Sequence, residues 1–161
     1  MNPAARQPSK IRAQDSTTPR SLVQLEPGEA LRLLGTVGMG RVIFSQHALP
    51  AARPVNHIVD GEDIVVRLED GGALAALAAP HDAPGTVVAY EADTIDPGTR
   101  LGWSVVVTGY ASLVPDSDDR RCYADLLRPW VEGPASRALR IRPRLVTGFR
   151  LDVEQPSPTD P

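Results

Sequence analysis

Apolar residues in this chain fall in short runs separated by turn formers, and two periods account for them. Ala30, Leu31, Leu33, Leu34 and Val37 follow helical spacing behind Glu26-Pro27-Gly28-Glu29, where proline suits a first turn and acidic residues suit that end of the dipole. This predicts a short helix ending near Gly38 or Gly40. The runs Arg41 to Ser45, Arg53 to Val59, Asp63 to Leu68, Thr86 to Ala92, Arg100 to Leu113 and Arg144 to Leu151 are β-branched and short, which predicts strands. Asp60-Gly61 is a hairpin signal, and Gly109 inside the longest run predicts a bulge or bend. Leu74 to Ala79 reads as a small helix stopped by Pro80. Asp116 to Leu127, with Cys122, Tyr123, Leu126 and Leu127 at helical spacing, reads as another that ends before Pro129.

Six short antiparallel strands with small helices between them predict a mainly β (α+β) chain whose strands close, or nearly close, into a barrel, since closure removes exposed edges. Residues 1–24 and 152–161 carry Pro, Ser, Thr, Asp and Gln with few apolar residues. They are expected to be disordered tails, because they bury too little surface to offset ordering entropy. The body over 25–151, about 125 residues, suits one domain with one core.

Charge and chemistry narrow the function classes. Seventeen basic against twenty acidic residues give a net charge of −3, which offers no electrostatic reason to expect nucleic acid or an anionic membrane surface. Cys122 is the single cysteine, so neither an intrachain disulfide nor a cysteine-paired zinc site is available. No run approaches the roughly 18 apolar residues of a membrane span, and residues 1–24 lack a signal peptide's apolar middle; a cytoplasmic protein is expected. Lys10, in the expected tail, is the sole lysine among those basic residues, which excludes Schiff-base chemistry within the fold. His47 and His81 sit in Pro/Ala-rich loops without ligand spacing, so no metal site is expected. Asp93, ahead of Thr94-Ile95-Asp96-Pro97-Gly98, reads as a turn cap, and neither a G-x-S-x-G motif nor a P-loop is present.

The pieces also occur in a meaningful order: Gly40-Arg41, Arg53-Pro54-Val55-Asn56-His57, Val65-Val66-Arg67 leading into a glycine-rich helix start, Glu91-Ala92-Asp93, Gly102-Trp103-Ser104-Val105, Pro129-Trp130, and Ile141-Arg142-Pro143 with Thr147-Gly148. From about Leu25 to Leu151 the chain resembles the pyridoxamine 5′-phosphate oxidase-like flavoproteins, the FMN-binding split-barrel family. The resemblance implies a six-stranded antiparallel split β-barrel with small flanking helices. It further implies a homodimer with two flavin sites at the subunit interface, and hydride transfer to or from a small molecule. FMN is the implied cofactor, with a deazaflavin as the alternative. No catalytic side chain is assigned, because the redox chemistry belongs to the cofactor.

Carried onto this sequence, the family site implies a phosphate grip of Arg67 with the backbone N–H groups of Gly71, Gly72 and Ala73, and Arg53 within reach of the same anion. Val55, Asn56 and His57 would follow the ring edge, Trp103 would lie near the cofactor and the dimer interface, and Trp130 would act as a lid or dimer contact. Plainer readings stand beside these: Arg67 paired with Glu69 or Asp70, His57 structural, Trp103 a core anchor, Cys122 a buried small hydrophobe. The chain departs from its relatives at Leu68, where they usually place Thr or Ser, and at Gly72-Ala73, where they place Lys or Arg. One lost charge-assisted bond to phosphate is worth about 1.5–3 kcal/mol, roughly ten- to a hundredfold in affinity. The alternative function is therefore a non-catalytic split-barrel module for a flavin-, deazaflavin- or haem-like ligand, or a dimerisation module with a lost cofactor site. Pyridoxamine phosphate oxidation itself is not expected, since Arg137, Arg140, Arg142 and Arg144 read equally well as a solvated face.

Overall fold

A computed structural model describes residues 19–68, 72–77, 79, 80, 82–115, 123, 126, 127 and 137–154. Glu69, Asp70, Gly71, His81, Cys122, Pro129 and Trp130 lie outside the described residues, as do most of the helix expected over 116–127 and of both expected tails. The elements run β1 (Arg20–Gln24), α1 (Pro27–Leu34), β2 (Met39–Gln46), β3 (Leu49–Asp60), β4 (Asp63–Leu68), a 3-10 helix (Ala73–Leu77), β5 (Thr86–Asp93), β6 (Gly102–Leu113) and β7 (Arg137–Val153).

Strand pairing closes a ring in the order β7-β4-β3-β2-β5-β6 and back to β7, with β1 added beside β7. Every pairing is antiparallel. The fold is thus the expected six-stranded antiparallel split barrel, and β7, 17 residues long, is the strand that closes it. Inward positions follow the period of two: Ile64, Val66 and Leu68 on β4, Val88, Tyr90 and Ala92 on β5, Trp103, Val105 and Val107 on β6. Helix α1 seals this core with Ala30 and Leu34.

Local signals account for the corners. Gly61 at φ 63° turns the β3–β4 hairpin between the paired Asp60 and Asp63. The β6–β7 register shifts between Thr108 and Gly109, where a Cβ would collide with the Arg142 carbonyl. Helix α1 stops at Gly35, short of Gly38. The Thr36 amide and hydroxyl both donate to the Leu33 carbonyl, at 2.9 and 2.6 Å, and that cap replaces a further turn.

Three expectations need correction. Residues 20–24, expected within a disordered tail over 1–24, form β1, pairing Leu22 with Leu151, and Asp152 and Val153 join the same ladder. Leu22 and Val23 remain largely exposed, so backbone hydrogen bonding rather than side-chain burial orders this strand, and composition carries no trace of that. β7 begins at Arg137 rather than Arg144, because Pro143 lies opposite Gly109 at the bulge, where a ladder already interrupted tolerates a residue without an N–H. The small helix expected over Leu74 to Ala79 is a five-residue 3-10 helix over Ala73–Leu77.

Candidate functional site

β3 changes partners along its length. Leu49 to Asn56 pair with β2, whereas His57 to Asp60 pair with β4. β4 continues past Val66, the partner of His57, but Arg67 and Leu68 are paired only with β7. Beyond this point the two strands part, and the side of β3 facing away from β2 has no strand partner among the described residues. Pro54 suits such an edge. A cavity of about 370 Å³ fills the split, lined by Arg53, Pro54, Val55 and Asn56 of β3, Arg67 of β4, and Gly72, Ala73 and Leu74 at the start of the 3-10 helix.

Arg67 is the distinctive group there. Alternation along β4 sends Ile64, Val66 and Leu68 into the barrel and leaves Val65 and Arg67 on the opposite face. That face is covered by a second apolar cluster of Val65, Val114, Tyr123, Leu127 and Ala138. Arg67 Nη1 donates to the Leu127 carbonyl at 3.2 Å, while its Nε is shielded from solvent with no partner among the described residues. An unsatisfied buried donor costs about 1–3 kcal/mol, so an orphaned one calls for a reason. Arg53 is exposed at the rim and donates to the adjacent Ala52 carbonyl at 2.8 Å. Among the described residues the lining side chains include two guanidiniums and no carboxylate.

His57 presents the opposite case. It is 3% exposed, its Nδ1 accepts from the Tyr90 hydroxyl at 2.5 Å and its Nε2–H donates to the Leu34 carbonyl at 2.9 Å. The rings meet edge to face at 5.1 Å. Burial holds the imidazole below its ordinary pKa of 6.5, outweighing the Leu34 bond, and drives the Tyr90 phenol upward. Gly40 makes room for this pair, because a Cβ there would overlap the Tyr90 hydroxyl and the Glu91 carbonyl.

Of the residues selected from sequence, the structure brings Arg53, Val55, Asn56, Arg67, Gly72 and Ala73 to one cavity. It sets His57, Leu68 and Trp103 apart from that lining, in the barrel core. For His57 the reason is its place on β3, at the residue where pairing with Val66 of β4 closes the split, and Leu68 is sent inward by the alternation of β4. Pro54 and Leu74 also line the cavity, and Leu127 holds Arg67 through its backbone. The apolar spacing of Tyr123, Leu126 and Leu127 hinted at a packed segment but not at what it packs on. Among the described residues no cluster of His, Cys, Asp and Glu is arranged for a metal, and no helix is long and apolar enough to cross a membrane.

The fold and the split have counterparts. A protein of Mycobacterium tuberculosis, itself uncharacterised, is 43% identical over 159 residues, covering 98% of this chain and all of its own length (100%). The crystal structure of a putative pyridoxamine 5′-phosphate oxidase from Corynebacterium glutamicum is 31% identical with a TM-score of 0.64, over 83% of this chain and 96% of that one. An FAD binding protein from Mycobacterium smegmatis is 25% identical with a TM-score of 0.61, over 81% of this chain and 98% of that one. The family model described as pyridoxamine 5′-phosphate oxidase matches residues 26–150, which takes in the whole closed ring up to Arg150 of β7 and every residue lining the split. With its barrel and most of its length matched in this way, the chain belongs to the pyridoxamine 5′-phosphate oxidase-like family.

Proposed function

We propose that the protein is a homodimeric, cytoplasmic, FMN-binding oxidoreductase that transfers a hydride to or from a small molecule. One observation carries the reading: among the described residues, Arg67 buries an Nε–H without a partner on the wall of a cavity whose described lining holds no carboxylate. A phosphate matches that deficit, because its oxygens accept parallel bonds from the Nε–Nη2 edge of a guanidinium and its charge offsets the cation. The remaining lining fits a flavin too. Pro54, Val55 and Leu74 offer apolar surface, and the unpaired side of β3 offers backbone groups to a ring edge. The FAD binding protein of Mycobacterium smegmatis supports a flavin in general.

When bound, the flavin supplies the hydride chemistry, and the chain supplies binding, orientation and electrostatics. Arg67 takes the phosphate, Arg53 adds a second positive charge from the rim, and the apolar walls exclude water from the ring. Val87 and Tyr110, paired across β5 and β6, expose apolar surface as Leu145 does on β7, which supports a second copy as the partner.

An absorption spectrum of the purified protein, then titration with FMN, FAD and a deazaflavin, tests the reading. FMN uptake is expected, and Arg67→Ala lowers its affinity roughly ten- to a hundredfold. A colourless protein that takes up none of the three overturns it. A second reading, a non-catalytic module binding a flavin-, deazaflavin- or haem-like ligand, is favoured by the lining itself, whose side chains include no group that titrates near neutral pH. Turnover with a nicotinamide donor and a dye acceptor excludes that module. Pyridoxamine phosphate oxidation stays outside the proposal, because Arg140 is ion-paired with Asp63 and Arg142 is bonded to Ser112 Oγ. Formation of pyridoxal phosphate from added pyridoxamine phosphate would reverse that exclusion.

A further inference from the structure

The flavin reading makes Arg67 the phosphate ligand but leaves open what aims its guanidinium. Arginine carries a long, flexible stem, so a bidentate grip depends on something fixing the head group. The bond that does so here runs to the Leu127 carbonyl, 60 residues away in sequence. Leu127 is held in turn: its amide donates to the Tyr123 carbonyl at 2.8 Å, and its side chain packs with Tyr123 against Val65, the other outward residue of β4.

Tyr123 is tied down more firmly than packing alone requires. It is 5% exposed, and its hydroxyl donates to Asp60 Oδ2. The Tyr123 hydroxyl oxygen also accepts from Arg140 Nη2 at 2.6 Å, while Arg140 Nη1 donates to Asp63 at 3.0 Å and its Cζ lies 5.7 Å from the Tyr123 ring centre. Asp60 and Asp63 face each other across the β3–β4 hairpin turn. A chain of bonds therefore runs from the hairpin tip through Tyr123 and the Leu127 carbonyl to Arg67, although Tyr123 does not line the split cavity.

We infer that Tyr123 is a positioning residue for phosphate recognition, holding Leu127, whose carbonyl fixes the Arg67 guanidinium on the cavity wall. This rests on the flavin reading above. Because Arg67 engages only the phosphate, the effect of Tyr123 is confined to ligands that carry one.

The test compares FMN with riboflavin, which lacks the phosphate, on wild-type, Tyr123→Phe, Arg67→Met and the double variant. Tyr123→Phe keeps the ring and its packing, and is expected to weaken FMN about three- to tenfold while leaving riboflavin unchanged. Arg67→Met abolishes the preference for FMN over riboflavin, and adding Tyr123→Phe to it changes nothing further. Equal losses for both ligands, or an additive loss in the double variant, overturn the inference in favour of a purely structural tyrosine. Asp60→Asn, which leaves the aromatic ring in place, repeats the comparison if Tyr123→Phe does not fold. A measurement without flavin separates this inference from the reading beneath it: hydrogen exchange at the Leu127 amide, with and without inorganic pyrophosphate. Faster exchange in Tyr123→Phe, and slowing of wild-type exchange by pyrophosphate, support the clamp even if no flavin binds. Exchange that responds to neither overturns it.

Discussion

His57 and Arg67 stand on adjacent strands of one hairpin, one position out of register, since His57 pairs with Val66. Both bring polar nitrogen out of solvent, and they resolve the cost in opposite ways. Each His57 nitrogen has a partner, Tyr90 on one side and the Leu34 carbonyl on the other. Arg67 satisfies Nη1 on Leu127 and leaves Nε without a partner among the described residues. A fully satisfied buried group contributes to the fold, whereas a buried donor kept unsatisfied marks a place where a ligand completes the bonding. The histidine on the closed side of the hairpin thus contributes to stability, and the proposed function assigns the arginine on the parted side to recognition.

The contrast can be broken by substitution. The largest effect is expected from His57→Ala, which opens a cavity and orphans both the Tyr90 hydroxyl and the Leu34 carbonyl. A loss of about 3–5 kcal/mol and a Tm lowered by roughly 2–4 °C per kcal/mol are expected in a thermal melt. An unmoved Tm would refute the structural role. Arg67→Met should do the reverse, costing about 1.5–3 kcal/mol of flavin phosphate binding while the melt of the unliganded protein stays level, because removing an unsatisfied donor offsets the bond lost to the Leu127 carbonyl. A lower Tm without ligand would mean that Arg67 is a structural residue after all. Tyr90→Phe leaves His57 Nδ1 without its donor and should cost about 1–3 kcal/mol in denaturant unfolding, with flavin affinity unchanged.

The smallest effect concerns pH and sharpens the histidine side. Because burial lowers the folded-state pKa of His57 from 6.5, the unfolded chain binds more protons just below that pH. Unfolding free energy is therefore highest above 6.5 and declines as pH falls from 6.5 toward the folded-state pKa, then levels off with respect to this group. Unfolding curves across that window should show the decline in wild-type and a flatter profile in a His57→Gln variant. Equal slopes would remove His57 as the cause.

Much of this molecule could be read from short stretches. The Asp60-Gly61 turn, the Gly109 bulge and the inward residues of β4 to β6 follow from local rules, turn chemistry and a period of two. Arg53, Val55, Asn56 and Arg67 could be gathered as a candidate site through the family resemblance, whose two motifs here flank that single hairpin. His57 is less legible. Sequence places it beside Asn56 in one motif, and periodicity tells that consecutive residues face opposite ways without telling which of them faces the core. Strand β1 was illegible for a different reason, since its order comes from backbone pairing with β7 while Leu22 and Val23 stay exposed.

The sequence by itself determined that the strands would close into a barrel, because alternating apolar residues must turn one face inward and short strands must bury their edges. Tertiary structure alone decided where the barrel splits and which buried nitrogens are satisfied. Those outcomes depend on β4 parting from β3 after Val66 and on partners 33 and 60 residues distant, Tyr90 for His57 and Leu127 for Arg67. Hydrophobic patterning is a local code, whereas a hydrogen bond needs two particular atoms within about 3 Å of each other, and only the folded chain brings them there.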